Sequence, residues 1–191
     1  MAEPILQLDP TQIASLGLLF AGDEAPVYAE CTGSIAVETE TRTITKTCGG
    51  ATIKELTKPT KMTVTISAFV PVEMQRRVFG VKHDEALNAG VYSYGKGSKG
   101  EQFGIMAELV DEWQDASKLI AFLNASSANA FTFTIDTSED ELSQLEIVAT
   151  AYEDDLGYWY HEAMESELQA PLTKEKWLTT LTADDLKKPQ A

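Results

Sequence analysis

Ser34-Ile-Ala-Val-Glu-Thr-Glu-Thr-Arg-Thr-Ile44 and Met62-Thr-Val-Thr-Ile-Ser-Ala-Phe69 decide the fold class. Both stretches alternate with a period of two. In the first, Ile35, Val37, Thr39, Thr41 and Thr43 fall on one face, and Ala36, Glu38, Glu40 and Arg42 on the other. In the second, Met62, Val64, Ile66 and Ala68 form an apolar face opposite Thr63, Thr65 and Ser67. Successive side chains of a strand point to opposite sides, and β-branched residues suit a pleated, half-buried surface. Working outward, Phe103, Ile105, Ala107 and Leu109 mark another strand. Residues 131–135 make a short β-prone run, and residues 145–152 alternate again. Tyr158-Trp159-Tyr160 follows an Asp154-Asp155-Leu156-Gly157 turn. Six or seven strands separated by turn signals predict a mainly β protein, an antiparallel sandwich or barrel.

Helical signal is thin. Residues 71–80 carry Pro at the start, Glu73 early, Arg76 and Arg77 late, and Gly80 as a stop, with Val72, Met74, Val78 and Phe79 available to cover one end of the sheets. Residues 113–124 can be drawn as an amphipathic helix with Leu119, Ile120 and Leu123 inward. A turn over 114–117 followed by a strand is the favoured alternative, because short apolar runs are ambiguous by period alone.

Two segments stand apart. Residues 46–61 join two strand patterns and contain Gly49-Gly50, Pro59, four Lys and one Glu, which predicts a long basic inter-strand loop. Residues 171–191 read as a polar C-terminal arm, with a possible helix capped at Thr182, leaving 1–170 as the β-sandwich domain.

Charge narrows the function. The net charge is −15, against a phosphate-gripping surface, which needs clustered Lys and Arg. The imbalance is uneven: residues 1–100 carry a net −1 and residues 101–191 a net −14. Opposite surfaces of two copies could therefore attract. No export or membrane signal is apparent, so the expectation is a cytosolic protein without membrane partners. Two cysteines, Cys31 and Cys48, are expected as free thiols.

Catalytic and ligand motifs fail in detail. Gly90-Val-Tyr-Ser-Tyr-Gly95-Lys96-Gly97 resembles a P-loop but has Gly97 where the magnesium-binding hydroxyl belongs. His161-Glu162-Ala-Met-Glu165 lacks the second His of a zinc-protease helix. Asp136-Thr-Ser138-Glu-Asp140-Glu hints at a calcium loop but has Ile147 in place of the twelfth-position Glu. Asn124-Ala-Ser126 is a glycosylation sequon without a secretory context. With His83 and His161 as the only histidines, no nucleophilic triad is favoured. The sequence predicts no enzyme, no catalytic residue, no cofactor and no metal.

The order of elements resembles the major tail tube proteins of long-tailed phages of Gram-positive bacteria. The Thr-rich strand over 34–45 leads to a long loop, the strand over 62–69, and the helix Val72-Glu-Met-Gln-Arg-Arg-Val-Phe-Gly80. A turn region from Val81 through Gly90-Val-Tyr precedes Phe103-Gly-Ile-Met-Ala-Glu-Leu-Val110 and Lys118-Leu-Ile-Ala-Phe-Leu-Asn124. Glu146 to Tyr160 closes the match, which covers roughly residues 10–162. The resemblance implies a β-sandwich subunit, six copies closing into a ring, and rings stacking head to tail into a hollow tube through which DNA leaves without specific binding. It implies that the long loop reaches a neighbouring ring, and that a tape-measure protein and other tail proteins are partners. The location it implies is the virion tail, assembled in the host cytoplasm.

On this reading Glu38, Glu40 and Glu146 are expected to face the lumen, and an acidic lumen would repel phosphates. Lys46, Ile53, Lys54, Leu56, Lys58 and Lys61 are expected in the inter-ring loop. Closing a ring would protect sheet edges, and head-to-tail contacts generate filaments. Two alternatives remain: a tail terminator or head–tail connector that forms one ring, and a small-molecule-binding β-barrel, which would need an apolar pocket.

Overall fold

A computed structural model describes residues 8–113, 115–133 and 144–188. Its strands are β1 (Gln12–Phe20), β2 (Val27–Tyr28), β3 (Cys31–Cys48), β4 (Ala51–Phe69), β5 (Gln102–Asp111), β6 (Ala116–Ser127), β7 (Leu145–Ala151) and β8 (His161–Met164). Helix α1 (Val72–Phe79) follows β4, and α2 (Lys174–Thr179) lies near the C-terminus. All pairings are antiparallel, in the order β2-β1-β5-β6-β7-β4-β3. β6 also branches: Lys118–Ala121 pairs with β8, while Ala125–Ser127 pairs with β7.

The alternation seen in the sequence explains the core. Leu16, Leu18 and Phe20 of β1, Val64, Ile66 and Ala68 of β4, and Ile147, Ala149 and Ala151 of β7 share one buried cluster with Phe103, Ile105, Ile120 and Phe122. β1 and β4 lie four places apart in the strand order, so the sheet must curl for their side chains to meet. Helix α1 plugs one end with Met74, Val78 and Phe79; Val72, expected to help, is exposed because it begins the helix. Gly80 ends α1 in the left-handed conformation (φ 70°), where a Cβ would lie 2.3 Å from the Lys99 carbonyl oxygen.

Residues 113–124 resolve in favour of the strand, since β6 starts at Ala116. β1 was not anticipated as a strand. Residues 131–133 are not in a strand; Thr134, Ile135 and the acidic 136–141 turn lie outside the described residues.

Two expectations need correction. The long loop over 46–61 is instead β-structure. β3 and β4 form one hairpin, closed by Gly49 (φ 61°) and Gly50 (φ 83°), the pair of positive φ values that a tight primed turn needs. Thr residues satisfy the strand preference along it, and Pro59 is tolerated because it adjoins a bulge that leaves Thr60 without an opposite residue. The C-terminal segment is not a free polar arm either. Trp177 (2% exposed) and Leu181 pack on the sheet's second face against Met106, Leu119 and Ala121. That cover explains why Phe103, Gly104, Ile105, Met106 and Ala107 of β5 are all buried, on both faces of one strand. Lys174 of α2 adds an ion pair to the buried Glu108 at 2.6 Å, and Ser117 donates to the same carboxylate.

Candidate assembly surface

The hairpin positions most of the residues singled out from the sequence. β4 loses its β7 partner beyond Met62, so Ala51 to Lys61 run past the body with β3 alone among the described residues. At about 3.3 Å per residue this is a projection of about 36 Å. β3 ends the strand order and, among the described residues, is paired in the sheet with β4 on one side only, which leaves a long open edge. Open edges of this length are templates for another chain.

Register sorts the hairpin into two faces. One carries Thr41, Thr43, Thr45 and Thr47 opposite Pro59, Thr57, Glu55 and Thr52, and the Thr43 and Thr57 hydroxyls hydrogen-bond at 3.1 Å. The other carries three consecutive rungs of a different kind: Arg42 opposite Lys58, Ile44 opposite Leu56, and Lys46 opposite Lys54. Ile44 is 48% and Leu56 52% exposed. Of the six expected loop residues, Lys46, Lys54, Leu56, Lys58 and Lys61 lie on this second face, and Ile53 is the extra residue of a bulge. Sequence reasoning missed Arg42 and Ile44 as part of the surface. Counting outward from Gly49-Gly50 would have found them only after allowing for the bulge at Ile53.

Nearer the body the same face turns acidic. Glu38 lies opposite Thr63, which lies opposite Thr150, and Glu146 sits on that face four residues before Thr150. Glu38, Glu40 and Glu146 therefore share one exposed side of β3, β4 and β7. Glu40 is held by Lys61 at 3.6 Å.

Other ionic sites are structural. Arg77 bridges Asp23 and Glu101 and stacks over Phe20, and its hydrogen bond keeps the Asp23 carboxyl below the usual range. Burial would raise the Asp154 carboxyl, but N–H donors from Tyr158 and Leu156 and the His161 ring at 2.8 Å hold it below the ordinary value. His161 thus lies on a strand and pairs with Asp154, which is not the helical setting of a zinc protease. Gly90 to Gly97 run through turns and irregular backbone with an isolated bridge from Ser93 to Lys82, followed by β5, so no helix N-terminus is offered to a phosphate. Among the described residues no three His, Cys, Asp or Glu side chains cluster to hold a metal, and no helix is long and apolar enough to cross a membrane.

A groove of about 830 Å³ opens where β3 runs beside β1 without pairing to it. Ile13, Ile35, Val37, Met62, Leu109, Ile120 and Tyr160 line it, and its lining includes no charged side chain.

No protein-family model and no curated protein matches the sequence. Among solved structures, the chain is similar to the tube-terminating cap of the anti-feeding prophage, seen by cryo-electron microscopy. The identity is 15% and the TM-score 0.41, over 85% of this chain and 95% of that one. A likeness of that degree leaves function to the chain's own surfaces.

Proposed function

We propose that the protein is a structural subunit of a phage-type tail tube, stacking in rings into a hollow conduit for DNA. One observation carries this reading: the β3–β4 hairpin extends far beyond its own core, with apolar side chains exposed and one edge unpaired. Isolated two-stranded hairpins are marginal in water. A hairpin of this length, with no cover from its own described residues, fits a protein whose final state is an assembly. In the same reading, the face of Glu38, Glu40 and Glu146 lines the lumen and lets DNA slide. A tape-measure protein and other tail proteins are the partners, the location is the virion, and the role is not enzymatic.

The test is negative-stain electron microscopy of the purified protein, alongside a variant in which residues 41–60 are replaced by Asn-Gly. Tubes from the natural chain, and a folded variant by circular dichroism that makes none, are expected. Isolated rings from the natural chain would move the assignment to a terminator or connector. The groove between β1 and β3 favours a second reading, a small-ligand barrel; monomers that co-purify with a bound apolar molecule would establish it over the tube.

A further inference from the structure

The three rungs Arg42/Lys58, Ile44/Leu56 and Lys46/Lys54 are poorly suited to the free subunit. Like charges placed directly opposite each other destabilise a strand pair, and the hairpin holds two such rungs on one face. Between them it holds an aliphatic rung about half exposed. The opposite face at the same depth carries no comparable conflict: it is a threonine ladder with a cross-strand hydrogen bond. Natural sequences are locally consistent except where function demands otherwise. Residues 42–58 carry a net +3 in a chain of net charge −15.

We infer that the hairpin docks through this basic–apolar face, with its threonine face turned away, onto a carboxylate-bearing apolar surface of a second copy of the chain. Resting on the tail-assembly reading, the inference adds which face makes the contact and what it meets. Carboxylates over the two cationic rungs would relieve their repulsion, and apolar side chains would cover Ile44 and Leu56. A second copy fits better than nucleic acid on two counts. A phosphate backbone offers nothing apolar to the central rung, and the rest of the chain repels phosphate. The geometry also suits a head-to-tail contact. The hairpin tip lies at the Ala51 end of β4, whereas α1 and the loop after it follow the Phe69 end. A copy placed in line would thus receive the tip at the end opposite its own hairpin. Such a contact does not close on itself and propagates as a filament.

The apolar rung would supply most of the affinity, because burial of aliphatic surface is the larger contribution. The cations would set register and association rate, and the rate should fall with salt.

Three full-length double variants test the face. Ile44→Glu with Leu56→Lys removes the apolar rung but leaves a complementary cross-strand pair. Arg42→Glu with Lys58→Glu inverts a cationic rung while keeping like charges opposite, so hairpin strain is matched. Thr43→Glu with Thr57→Lys alters the other face at the same depth. Assembly is read by sedimentation and electron microscopy, folding by circular dichroism. The first two should cut the assembled fraction by at least about tenfold, equivalent to about 1.4 kcal/mol. The third should assemble like the natural chain. Assembly lost only in the threonine-face variant, or retained in all three, overturns the face assignment while leaving the tail reading intact. A natural chain that never assembles overturns the tail reading itself. Retention of a labelled DNA duplex at physiological salt, abolished by Arg42→Glu with Lys58→Glu, would overturn the second copy as the partner.

Discussion

The two halves of β4 belong to one continuous strand and differ both in charge and in what surrounds them. From Met62 to Phe69 the strand is flanked by β3 and β7, and Val64, Ile66 and Ala68 are fully buried. From Ala51 to Lys61 it has β3 alone among the described residues, and every residue but Lys61 is exposed. The first half obtains its stability from the core of its own chain. In the second, the strand's residues, Leu56 among them, form a surface. The strand thus runs past the stretch that alternates, and burial depends on how many neighbours it acquires.

The sharpest way to break this comparison is to truncate one side chain in each half. Ile66→Ala should destabilise the monomer by about 2–5 kcal/mol, since a buried cavity adds to the lost transfer energy. Leu56→Ala should change it by no more than about 0.5 kcal/mol, as surface substitutions usually do. Urea denaturation of both variants measures the difference. Equal losses would mean that the distal half is covered by its own chain.

A smaller effect concerns the turn that follows β7. The Asp154 side chain is 4% exposed and its carboxyl is held below the ordinary value. A depressed carboxyl contributes stability that is fully present above its unfolded value and is lost as pH falls through the lower folded value. Asp154→Asn should therefore cost about 1–3 kcal/mol near neutrality, and the gap to the natural chain should narrow at strongly acid pH. Thermal melts across that range check it; a gap independent of pH would assign the loss to packing.

How much of this was legible beforehand follows from the same physics. Residues 62–69, 102–111 and 145–151 declare themselves because one or both faces are apolar, and α1 because its stop signals agree. The hairpin was hidden by composition. Lys, Gly and Pro within 46–61 read as a linker, although Gly49-Gly50 is a turn and Pro59 sits at a bulge. The pairing of Arg42 with Lys58 and Ile44 with Leu56 was not readable, since the bulge at Ile53 shifts the register by one. Trp177 and Leu181 do not stand out in the sequence because helix α2 has only six residues in a charged stretch, too short to display a helical period. The acidic face was legible strand by strand, but its continuity from Glu38 to Glu146 depends on β4 lying between them.

Charge on that face sharpens the comparison with less energy at stake. Glu38→Lys with Glu40→Lys replaces exposed acids and ends the 3.6 Å contact to Lys61. Exposed ion pairs are worth at most about 1 kcal/mol, so the monomer should melt almost unchanged. If the face lines a conduit, tubes should still form and DNA should pass more slowly at low salt, as phosphates meet cations. Equal passage rates would place the face elsewhere.

The smallest expected effect is on the two cysteines, and it returns to the ends of the same hairpin. Cys31 begins β3 beside the groove of the body, and Cys48 ends it at the tip; both are exposed. An extended strand of 18 residues separates them by about 56 Å, whereas a disulfide needs Cα atoms within about 7 Å. No bridge can form between them within one chain. A lost structural disulfide would cost about 2–5 kcal/mol, so a reducing agent should leave the melting temperature unchanged if none exists. The two thiols should nevertheless differ once copies associate. Cys48 lies on the side of the hairpin that bears Ile44 and Lys46, whereas Cys31 lies back at the body. In the free subunit a thiol reagent should label both at comparable rates. In the assembled state Cys48 should be shielded if the tip is buried against a second copy. Mass spectrometry of labelled peptides separates the two positions, and rapid labelling of Cys48 in intact tubes would show that the tip remains in solvent.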